Sequence, residues 1–315
     1  MKQLKKYPVY VPVLLILAGL IYQNTATCLD IRRFPPSGQF VDMGGYTLHF
    51  KKSGKGRFTV VFDSGMGASH LAWEKVIPEI GKVAGVFAYD RAGLGWSEKS
   101  PLPRTSERIV EELHRLLKLS HTPGPYILVG HSFGGLNMQL YAATYPGEVA
   151  GLVLIDSSHA AQMENLGAKG FLKGLRHAAV KISAPLGISR MMARGNTAAE
   201  QAVMSTVRHQ YTRLDEQEGF ARSLETLAGL APHFGTLPLT VISRNSPVEV
   251  LRKKGAASER HLKWAGLQQD LAGRSANGFL VFSGEEDHGI HKSSPGLVIE
   301  EIKQVVALAE ALADR

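Results

Sequence analysis

The amino-acid sequence predicts an α/β fold with a mostly parallel β-sheet, helices on both faces of the sheet and a helical cap insertion. Short continuous apolar runs alternate with segments of helical periodicity, which is typical of parallel strands covered on both faces. One long interval, residues 158–236, has no such run and is rich in Ala, Leu, Met and basic residues. The runs that we interpret as strands are Thr59–Phe62, Val86–Tyr89, Tyr126–Val129, Gly151–Ile155, Leu239–Ser243 and Phe279–Phe282.

Turn and helix signals predict the remaining elements in order. Residues 34–38, with two prolines, indicate a linker, and residues 40–50 indicate a β-hairpin around Gly44-Gly45. Ser69–Ile80 is expected to be helical. Thr105 or Ser106 can cap the next helix. Its apolar positions are Ile109, Leu113, Leu116 and Leu117, and those of a final helix from Pro295 are Val298, Ile302, Val305 and Leu312.

A chain of 315 residues is long enough for one large domain with an insertion. We assign residues 38–157 and 237–315 to the sheet-containing core and residues 158–236 to the helical cap. Within the cap, residues 198–231 form an amphipathic stretch. Residues 1–30 are interpreted as a signal anchor and juxtamembrane segment, separate from the fold.

The N-terminal interpretation depends on charge followed by apolarity. Lys2, Lys5 and Lys6 precede an apolar run at residues 9–22, which has the length of a signal sequence and is marginal for a full membrane span. We favour an uncleaved anchor with the catalytic body exported to the periplasmic or extracellular side. The alternative is secretion after cleavage near residues 24–26. A buried helix is disfavoured by Pro8 and Pro12.

Composition excludes several other classes. The formal net charge is +8, but no Lys/Arg run accompanies it, so nucleic-acid binding is not indicated, whereas an anionic membrane is a possible neighbour. The single cysteine, Cys28, allows no intrachain disulfide. We expect no cofactor, and no metal because no His, Cys or Asp cluster shows ligand spacing. The sequence does not indicate an oligomeric state.

The pattern GHSFGG at residues 130–135 carries the main functional signal. It follows an apolar strand and precedes a helical segment, the context in which a Gly-x-Ser-x-Gly turn presents a nucleophilic serine. Side chains at Gly130 and Gly134 would collide in so sharp a turn, and Ser132 would be pushed out at the carboxyl end of the sheet. The competing interpretation is a glycine-rich turn with an incidental serine.

Two backbone N–H groups are predicted to form an oxyanion hole. One belongs to Phe133, at the start of the helix after Ser132, where the helix dipole also contributes. The other belongs to Met66, in the glycine-rich loop that follows the strand at residues 59–62. The alternative is that this loop is a flexible turn with no catalytic role.

A serine hydroxyl needs a base, and two histidines compete for that role. His288 lies nearer the end of the last predicted strand and precedes Gly289, which lets the loop turn. We favour His288 as the base and expect His291 to line the pocket. His131, inside the serine turn, is expected to shape the pocket as well.

The carboxylate that orients the histidine also has two candidates. The loop after Ser243 is the usual place for it, but this loop contains Glu249 and no aspartate. Asp156 ends the preceding strand and satisfies the same geometric demand, so we favour Asp156 and keep Glu249 as the alternative acid. A purely structural role for Asp156 would be to cap the first cap helix.

The chain resembles the α/β-hydrolase superfamily over residues 38–313. The resemblance lies in GGYTLHF, YDRAGLGWS, GPYILVGHSFGGLNMQLYA, VAGLVLIDSSH and DHGIHKSSPGLVIEEI, which are similar to a group of bacterial, often membrane-anchored hydrolases. It implies that Ser132 is the nucleophile and His288 the base, with Phe133 and Met66 as oxyanion donors. Two departures are the missing aspartate after Ser243 and Ser64, which stands where a His-Gly dipeptide is common.

The leading functional hypothesis is a serine esterase that acts on a small ester or acyl substrate through an acyl-enzyme. Serine at position 132 argues against haloalkane dehalogenases and epoxide hydrolases, which place aspartate there. Amide, lactone or carbon–carbon bond hydrolysis, perhydrolysis and acyl transfer remain open, because a fold licenses none of them individually. A non-catalytic protein with a capped pocket and a membrane-tethered scaffold are the alternatives from other classes.

Overall fold

The computed structural model describes residues 7–162, 170–192, 197–244, 256–284 and 286–314. Within them, one sheet of eight strands has the order β1-β2-β4-β3-β5-β6-β7-β8. Strands β3 to β8 pair in parallel, while β2 is antiparallel to both β1 and β4. The predicted α/β fold with a mostly parallel sheet is confirmed. The strands are β1 Gln39–Asp42, β2 Thr47–Ser53, β3 Thr59–Asp63, β4 Gly85–Tyr89, β5 Tyr126–His131, β6 Val149–Ile155, β7 Leu239–Ser243 and β8 Gly278–Phe282.

Helices cover both faces of this sheet because the central strands are apolar on both sides. In β3, Val61 points to one face, and Val60 and Phe62 point to the other. The first face packs against helices that contribute Leu113 and Leu136, and the second against the final helix through Ile302. The helices are α1 Tyr7–Arg33, α2 Ile77–Ile80, α3 Ser106–Leu119, α4 Phe133–Thr144, α5 Gly170–Ser183, α6 Ile188–Met192, α7 Ala198–Met204, α8 Val207–Leu230, α9 Ala256–Ala272, α10 Ile290–Ser293 and α11 Pro295–Ala313.

The structure differs from the sequence-based expectation in two helical regions: residues 69–80 are not one continuous helix, and the N-terminus of α3 is not capped by a Thr105 side-chain hydrogen bond. Residues 69–80 contain a 3-10 helix, His70–Trp73, and the short α2, because Pro78 has no N–H with which to continue a helix from the preceding turn. Thr105 occupies the N-cap position of α3, but its side chain makes no capping bond. The Ser106 N–H donates instead to the Ser223 hydroxyl of α8 at 2.9 Å.

Two further differences concern the cap and the region after β7. The amphipathic stretch at residues 198–231 is two helices, because the Thr206 side chain caps α8 by accepting the His209 N–H. Helix α9 lies between β7 and β8 and was not predicted, since its apolar residues do not gather into one stripe. It contributes Trp264 to the site described below.

The N-terminal helix α1 makes polar contacts with the cap, while the expectation that residues 1–30 form a signal anchor stays a prediction. Gln23 donates to the Ser205 carbonyl at 2.9 Å, and Arg190 of α6 bonds to Gln23, Thr27 and Asp30. In the described residues one helix, Tyr10–Arg33, is long and apolar enough to cross a membrane, a test that a signal sequence also passes.

Candidate active site

Ser132 occupies the sharp turn between β5 and α4. Its backbone has φ 53° and ψ −116°, a conformation that is costly for a residue with a side chain. The turn is sterically possible because Gly130 and Gly134 lack side chains: a Cβ on Gly130 would lie 2.6 Å from the Gly134 carbonyl oxygen. Ser132 is therefore held, half-buried, at the carboxyl end of β5 and at the N-terminus of α4.

The loop after β3 lies directly against this turn. A Cβ built on Gly65 would lie 3.6 Å from the Ser132 Cβ and 2.8 Å from Nδ1 of His131. In the part of the chain that the structure describes, neither the Met66 N–H nor the Phe133 N–H donates a hydrogen bond to another residue. Two free N–H groups beside a half-buried hydroxyl are the arrangement that an oxyanion requires.

The buried guanidinium of Arg91 holds the backbone of this loop. It donates to the carbonyls of Ser64 at 2.6 Å and Gly65 at 2.8 Å, and it pairs with Asp63 at 2.5 Å and Glu216 at 2.7 Å. Burial alone would lower the pKa of Arg91, but the two carboxylates outweigh it and hold that pKa above its ordinary value. A permanently charged group thus orients the peptide units on either side of the predicted oxyanion donor.

The cap supplies the rest of the support through α8. The Gly67 N–H donates to Glu216 at 2.7 Å, and the Gly67 carbonyl lies 2.7 Å from Nε2 of His209. Nδ1 of His209 accepts the Gly95 N–H at 3.3 Å, so Nε2 carries the proton. Burial lowers the pKa of His209 to about 4, despite its bond to the Gly67 carbonyl. Both polar groups of one loop residue are therefore held by one face of a cap helix.

Asp156 and His288 meet at the same edge of the sheet. Asp156 follows β6 with a left-handed backbone, φ 41°, and its N–H donates to the Ile242 carbonyl at 2.7 Å. Its Oδ2 accepts a hydrogen bond from Nδ1 of His288 at 2.5 Å. The carboxylate is fully buried, whereas the imidazole is 41% exposed. This bond fixes the tautomer in which Nε2 of His288 is free to accept a proton.

Two more side chains hold the Asp156 carboxylate. The indole Nε1 of Trp264 donates to Oδ1 at 2.6 Å, and Nε of Arg244 lies 3.2 Å from Oδ2. The Arg244 guanidinium also stacks over the Trp264 ring at 5.6 Å. Burial by itself raises the pKa of Asp156, but His288, Arg244 and Trp264 together hold it below its ordinary value. Asp156 is therefore ionised at neutral pH.

The alternative acid, Glu249, lies outside the described residues. The favoured candidate, Asp156, is hydrogen-bonded to Nδ1 of His288.

Three histidine rings pack against one another at tilted angles beside the serine turn. Nε2 of His131 lies 2.9 Å from the His288 carbonyl, and the two rings are 4.7 Å apart. The ring of His291 lies 4.4 Å from that of His131 and 4.6 Å from that of Trp73. Burial, with neighbouring charges, lowers the pKa of His131 well below its usual value and that of His291 to about 3. Both rings are therefore neutral packing groups around the partly exposed His288.

The serine turn and the loop that carries His288 meet through His131. His131 precedes the serine and contacts the backbone of the histidine, which brings the two residues to one place. Among the described residues no hydrogen bond joins the hydroxyl to the imidazole. Such bonds are often long without substrate and tighten when it binds.

A second, fully buried histidine cluster surrounds Asp90, the residue that follows β4. Nδ1 of His49 and Nδ1 of His70 lie 2.9 and 3.0 Å from the two carboxylate oxygens of Asp90, close enough together to surround a metal ion. Burial opposes ionisation of Asp90, but the two imidazoles hold its pKa below the ordinary value. Separate hydrogen bonds to separate oxygens account for this geometry, so the cluster fits a structural role in fixing the loop.

Sequence reasoning missed the supporting residues of the site. His209 and Glu216 lie seven residues apart on α8, a spacing that indicates a shared helix face but not what that face contacts. Arg91 reaches the cap through Glu216, a contact that the sequence pattern around Arg91 does not indicate. Ser64, in the position where the resemblance expects a different motif, accepts the Trp73 indole N–H at 2.9 Å and is buried.

Comparison with known proteins agrees with the fold. A profile of the alpha/beta hydrolase fold matches residues 59–304. The uncharacterized protein YqjL of Bacillus subtilis is 28% identical over 257 residues, which cover 80% of this chain and 84% of that protein.

Solved structures are similar at lower identity. The Cif epoxide hydrolase from Acinetobacter nosocomialis superposes with a TM-score of 0.68 at 16% identity, covering 91% of this chain and 96% of the other. The CarC serine hydrolase of carbazole degradation superposes with a TM-score of 0.59 at 17% identity, covering 86% and 98%. At these identities the likeness concerns the fold alone.

Proposed function

The chain belongs to the α/β-hydrolase fold family, and from that premise we propose that it is a serine hydrolase that cleaves carboxylic esters through an acyl-enzyme on Ser132. The observation that carries the proposal is the bond between Nδ1 of His288 and the buried carboxylate of Asp156, at the sheet edge where a strained turn presents the serine. Free N–H groups of Met66 and Phe133 complete the set of parts that acyl transfer needs.

The first half of the reaction forms the acyl-enzyme. Oγ of Ser132 attacks the ester carbonyl carbon while Nε2 of His288 takes the hydroxyl proton. The carbonyl π-electrons move onto oxygen, where the Met66 and Phe133 N–H groups stabilise the negative charge. When the carbon–oxygen bond to the alcohol breaks, the imidazolium gives its proton to the leaving alkoxide. Asp156, held ionised, stabilises the imidazolium between these two transfers.

The second half returns the enzyme to its starting state. Nε2 of His288 removes a proton from water, whose oxygen attacks the acyl carbon. The oxyanion is stabilised at the same two N–H groups, and the bond to Oγ of Ser132 breaks as the imidazolium returns its proton. The products are a carboxylic acid and an alcohol, and no cofactor takes part.

Other chemistry on the same residues forms the alternative proposals. Amide, lactone and carbon–carbon bond hydrolysis, perhydrolysis and acyl transfer to a second alcohol differ in the electrophile or in the molecule that replaces water. An alkyl-enzyme ester of the kind formed with epoxides or haloalkanes needs a carboxylate nucleophile, which position 132 does not provide. A non-catalytic capped pocket is the alternative from another class.

A fluorophosphonate probe tests the proposal directly. The purified full chain in detergent is expected to be labelled at Ser132, and Ser132→Ala is expected to abolish labelling. His288→Gln should reduce the labelling rate by several orders of magnitude. His291→Phe is the matched control, because it replaces the neighbouring buried ring and should keep labelling. Folded wild-type protein that takes no label would favour the binding-protein alternative.

We also propose that α1 anchors the chain in a membrane with the catalytic body on the exported side. The support is an apolar helix of sufficient length whose N-terminal part is exposed, preceded by Lys2, Lys5 and Lys6. Protease added to intact cells should remove the body. Protection in intact cells would contradict export, and a mature N-terminus after residue 24 would indicate cleavage instead of anchoring.

A further inference from the structure

We propose that the cap itself rests on the membrane: the exposed apolar face of α5 and α6 is a surface that contacts an anionic lipid bilayer where α1 leaves it. The inference rests on the proposed anchoring by α1 but not on the proposed chemistry. It gives the cap a second function besides covering the site.

The apolar stripe of α5 points away from the protein. Leu175, Ala178, Ala179 and Ile182 have the spacing of one helix face, and all four are exposed. The opposite side of the helix carries His177, which is buried against α8 and bonds to Gln217 and Glu218. A soluble helix of this kind would turn the apolar face inward, so the outward stripe needs an apolar partner.

Helix α6 extends the same apolar surface. Ile188 is 47% exposed, Met191 78% and Met192 77%. Side chains of this size so fully in water are unusual on a protein surface unless a partner covers them. Methionine adapts readily to irregular apolar surroundings.

Contacts between α1 and the turn from α5 to α6 determine how deep the exposed apolar face of α5 and α6 lies relative to a bilayer that contains α1. A Cβ on Gly19 would lie 2.9 Å from the Leu186 carbonyl oxygen, and one on Gly187 would lie 2.6 Å from the Tyr22 ring. The turn between α5 and α6 therefore touches α1 within its apolar run, and polar contacts to the cap begin only at Gln23. A bilayer that holds the apolar run up to Tyr22 must meet this turn.

Charge favours a lipid surface over a second protein. Arg176 and Lys181 of α5 are exposed and flank the apolar stripe on its two sides. Helices that lie in the membrane interface share this pattern, because long basic side chains reach lipid phosphates while the apolar stripe enters the acyl region. The formal charge of +8 acts in the same direction.

The contact also reaches the candidate active site. The Tyr211 hydroxyl of α8 donates to the Lys181 carbonyl of α5 at 2.9 Å. On the same helix, Glu216 and His209 hold the backbone of Gly67 beside the predicted oxyanion donor. A bilayer that fixes α5 therefore fixes the helix that supports the oxyanion loop.

Fluorescent labelling of the full chain in vesicles of zwitterionic and anionic phospholipid tests this surface. In a Cys28→Ser background, Met191→Cys and Met192→Cys each carry an environment-sensitive dye. Phe279→Cys is the matched control, because Phe279 is an apolar side chain of β8 that is 61% exposed. The dye at 191 or 192 is expected to emit at shorter wavelength and to be quenched by spin-labelled lipid, while the dye at 279 does neither.

The outcomes separate the two membrane proposals. If the chain stays with the vesicles after alkaline washing and all three dyes report water, the cap contact is wrong and the anchor stands. If the chain washes off, anchoring by α1 fails, and the cap contact fails with it. Quenching between labelled chains at 191, without quenching by lipid, would show that a second copy covers this face and would overturn the proposal.

Discussion

The two halves of the candidate site are stabilised in opposite ways. On the oxyanion side, a fully buried Arg91 is fixed between Asp63 and Glu216, and the loop it holds is also held by the cap. On the acid–base side, His288 is 41% exposed and depends on one buried carboxylate, Asp156. The first half resembles a rigid core element, whereas the second presents a group that can exchange protons with solvent. The proposed mechanism would use this difference, because acyl transfer needs preorganised hydrogen-bond donors for the oxyanion and an accessible group for proton transfer.

The largest effect is expected on the acid–base side. Asp156→Asn keeps the shape of the side chain but removes the charge that orients and stabilises the imidazole. We expect kcat to fall by about 10⁴, as for an Asp-to-Asn change in a catalytic triad. Steady-state kinetics on a soluble ester measure it.

Glu249→Gln is the matched control, since Glu249 is the competing acid. It should leave kcat within about twofold of wild type, a small effect that is typical of residues that take no part in the reaction. If the two variants exchange these results, Glu249 orients the histidine and Asp156 has a structural role.

The second-largest effect is expected from a substitution that weakens the support of the oxyanion loop. Glu216→Gln removes the charge that neutralises Arg91, and the free energy of unfolding should fall by about 3 kcal/mol because a buried cation loses a partner. The Gly67 contact weakens as well, so kcat should fall by about 10²-fold, as when one oxyanion donor is lost. Urea unfolding measures the change in the free energy of unfolding, and steady-state kinetics below the melting temperature measure the change in kcat.

A buried pair elsewhere separates stability from catalysis. Glu112 pairs with Arg104 through two bonds of 2.9 and 2.8 Å, and within the described residues its carboxylate makes no hydrogen bond or ion pair to the candidate site. Glu112→Gln should lose a similar amount of stability and retain kcat. Equal losses of kcat in both variants would mean that Glu216 acts only through stability.

The same division explains what could be predicted from the sequence. Ser132, Asp156 and His288 each follow an apolar strand, and parallel strands end at one edge, so local pattern and topology together bring them to that edge. Their catalytic roles remain predictions.

The supporting residues do not follow from local pattern. Glu216 reaches Arg91 across 125 positions, and Trp264 reaches Asp156 across 108. Such contacts depend on how helices α8 and α9 pack on the sheet, and no spacing along the chain encodes that packing. The cap boundary at residues 158–236 stays a prediction, drawn from a long interval without strand-like runs.

A smaller loss of activity is expected when the hydrogen bond from Trp264 to the Asp156 carboxylate is removed and the bond to His288 is kept. Trp264→Phe removes the indole donor and keeps an aromatic ring beneath Arg244. Since a hydrogen bond to a charged group contributes about 1.5–3 kcal/mol, we expect kcat/KM to fall by about tenfold, far less than for Asp156→Asn. A loss as large as that of Asp156→Asn would indicate that the indole, and not the carboxylate charge, sets the position of His288.

The smallest effect concerns the buried rings around His288 and the dependence of stability on pH. His291 is neutral when folded, with a pKa lowered to about 3, and neither ring nitrogen has a partner within the described residues. Between pH 6.5, the usual pKa of an unfolded histidine, and about 3, the unfolded chain binds more protons than the folded one. Stability contributed by the neutral ring is therefore present above pH 6.5 and is lost as the pH falls through this window.

His291→Phe removes the titrating ring and the two unpaired nitrogens while filling a similar volume. We expect its free energy of unfolding at pH 7 to equal or exceed that of wild type, because no hydrogen bond is lost. Between pH 6.5 and 4, the variant should lose less stability than wild type, as measured by urea unfolding at each pH. The dependence of kcat on pH should be unchanged, because in the proposed mechanism only His288 exchanges protons with the substrate. Parallel stability curves for the two proteins would mean that His291 is not held neutral in the fold, and a shifted kinetic profile would assign it a share in proton transfer.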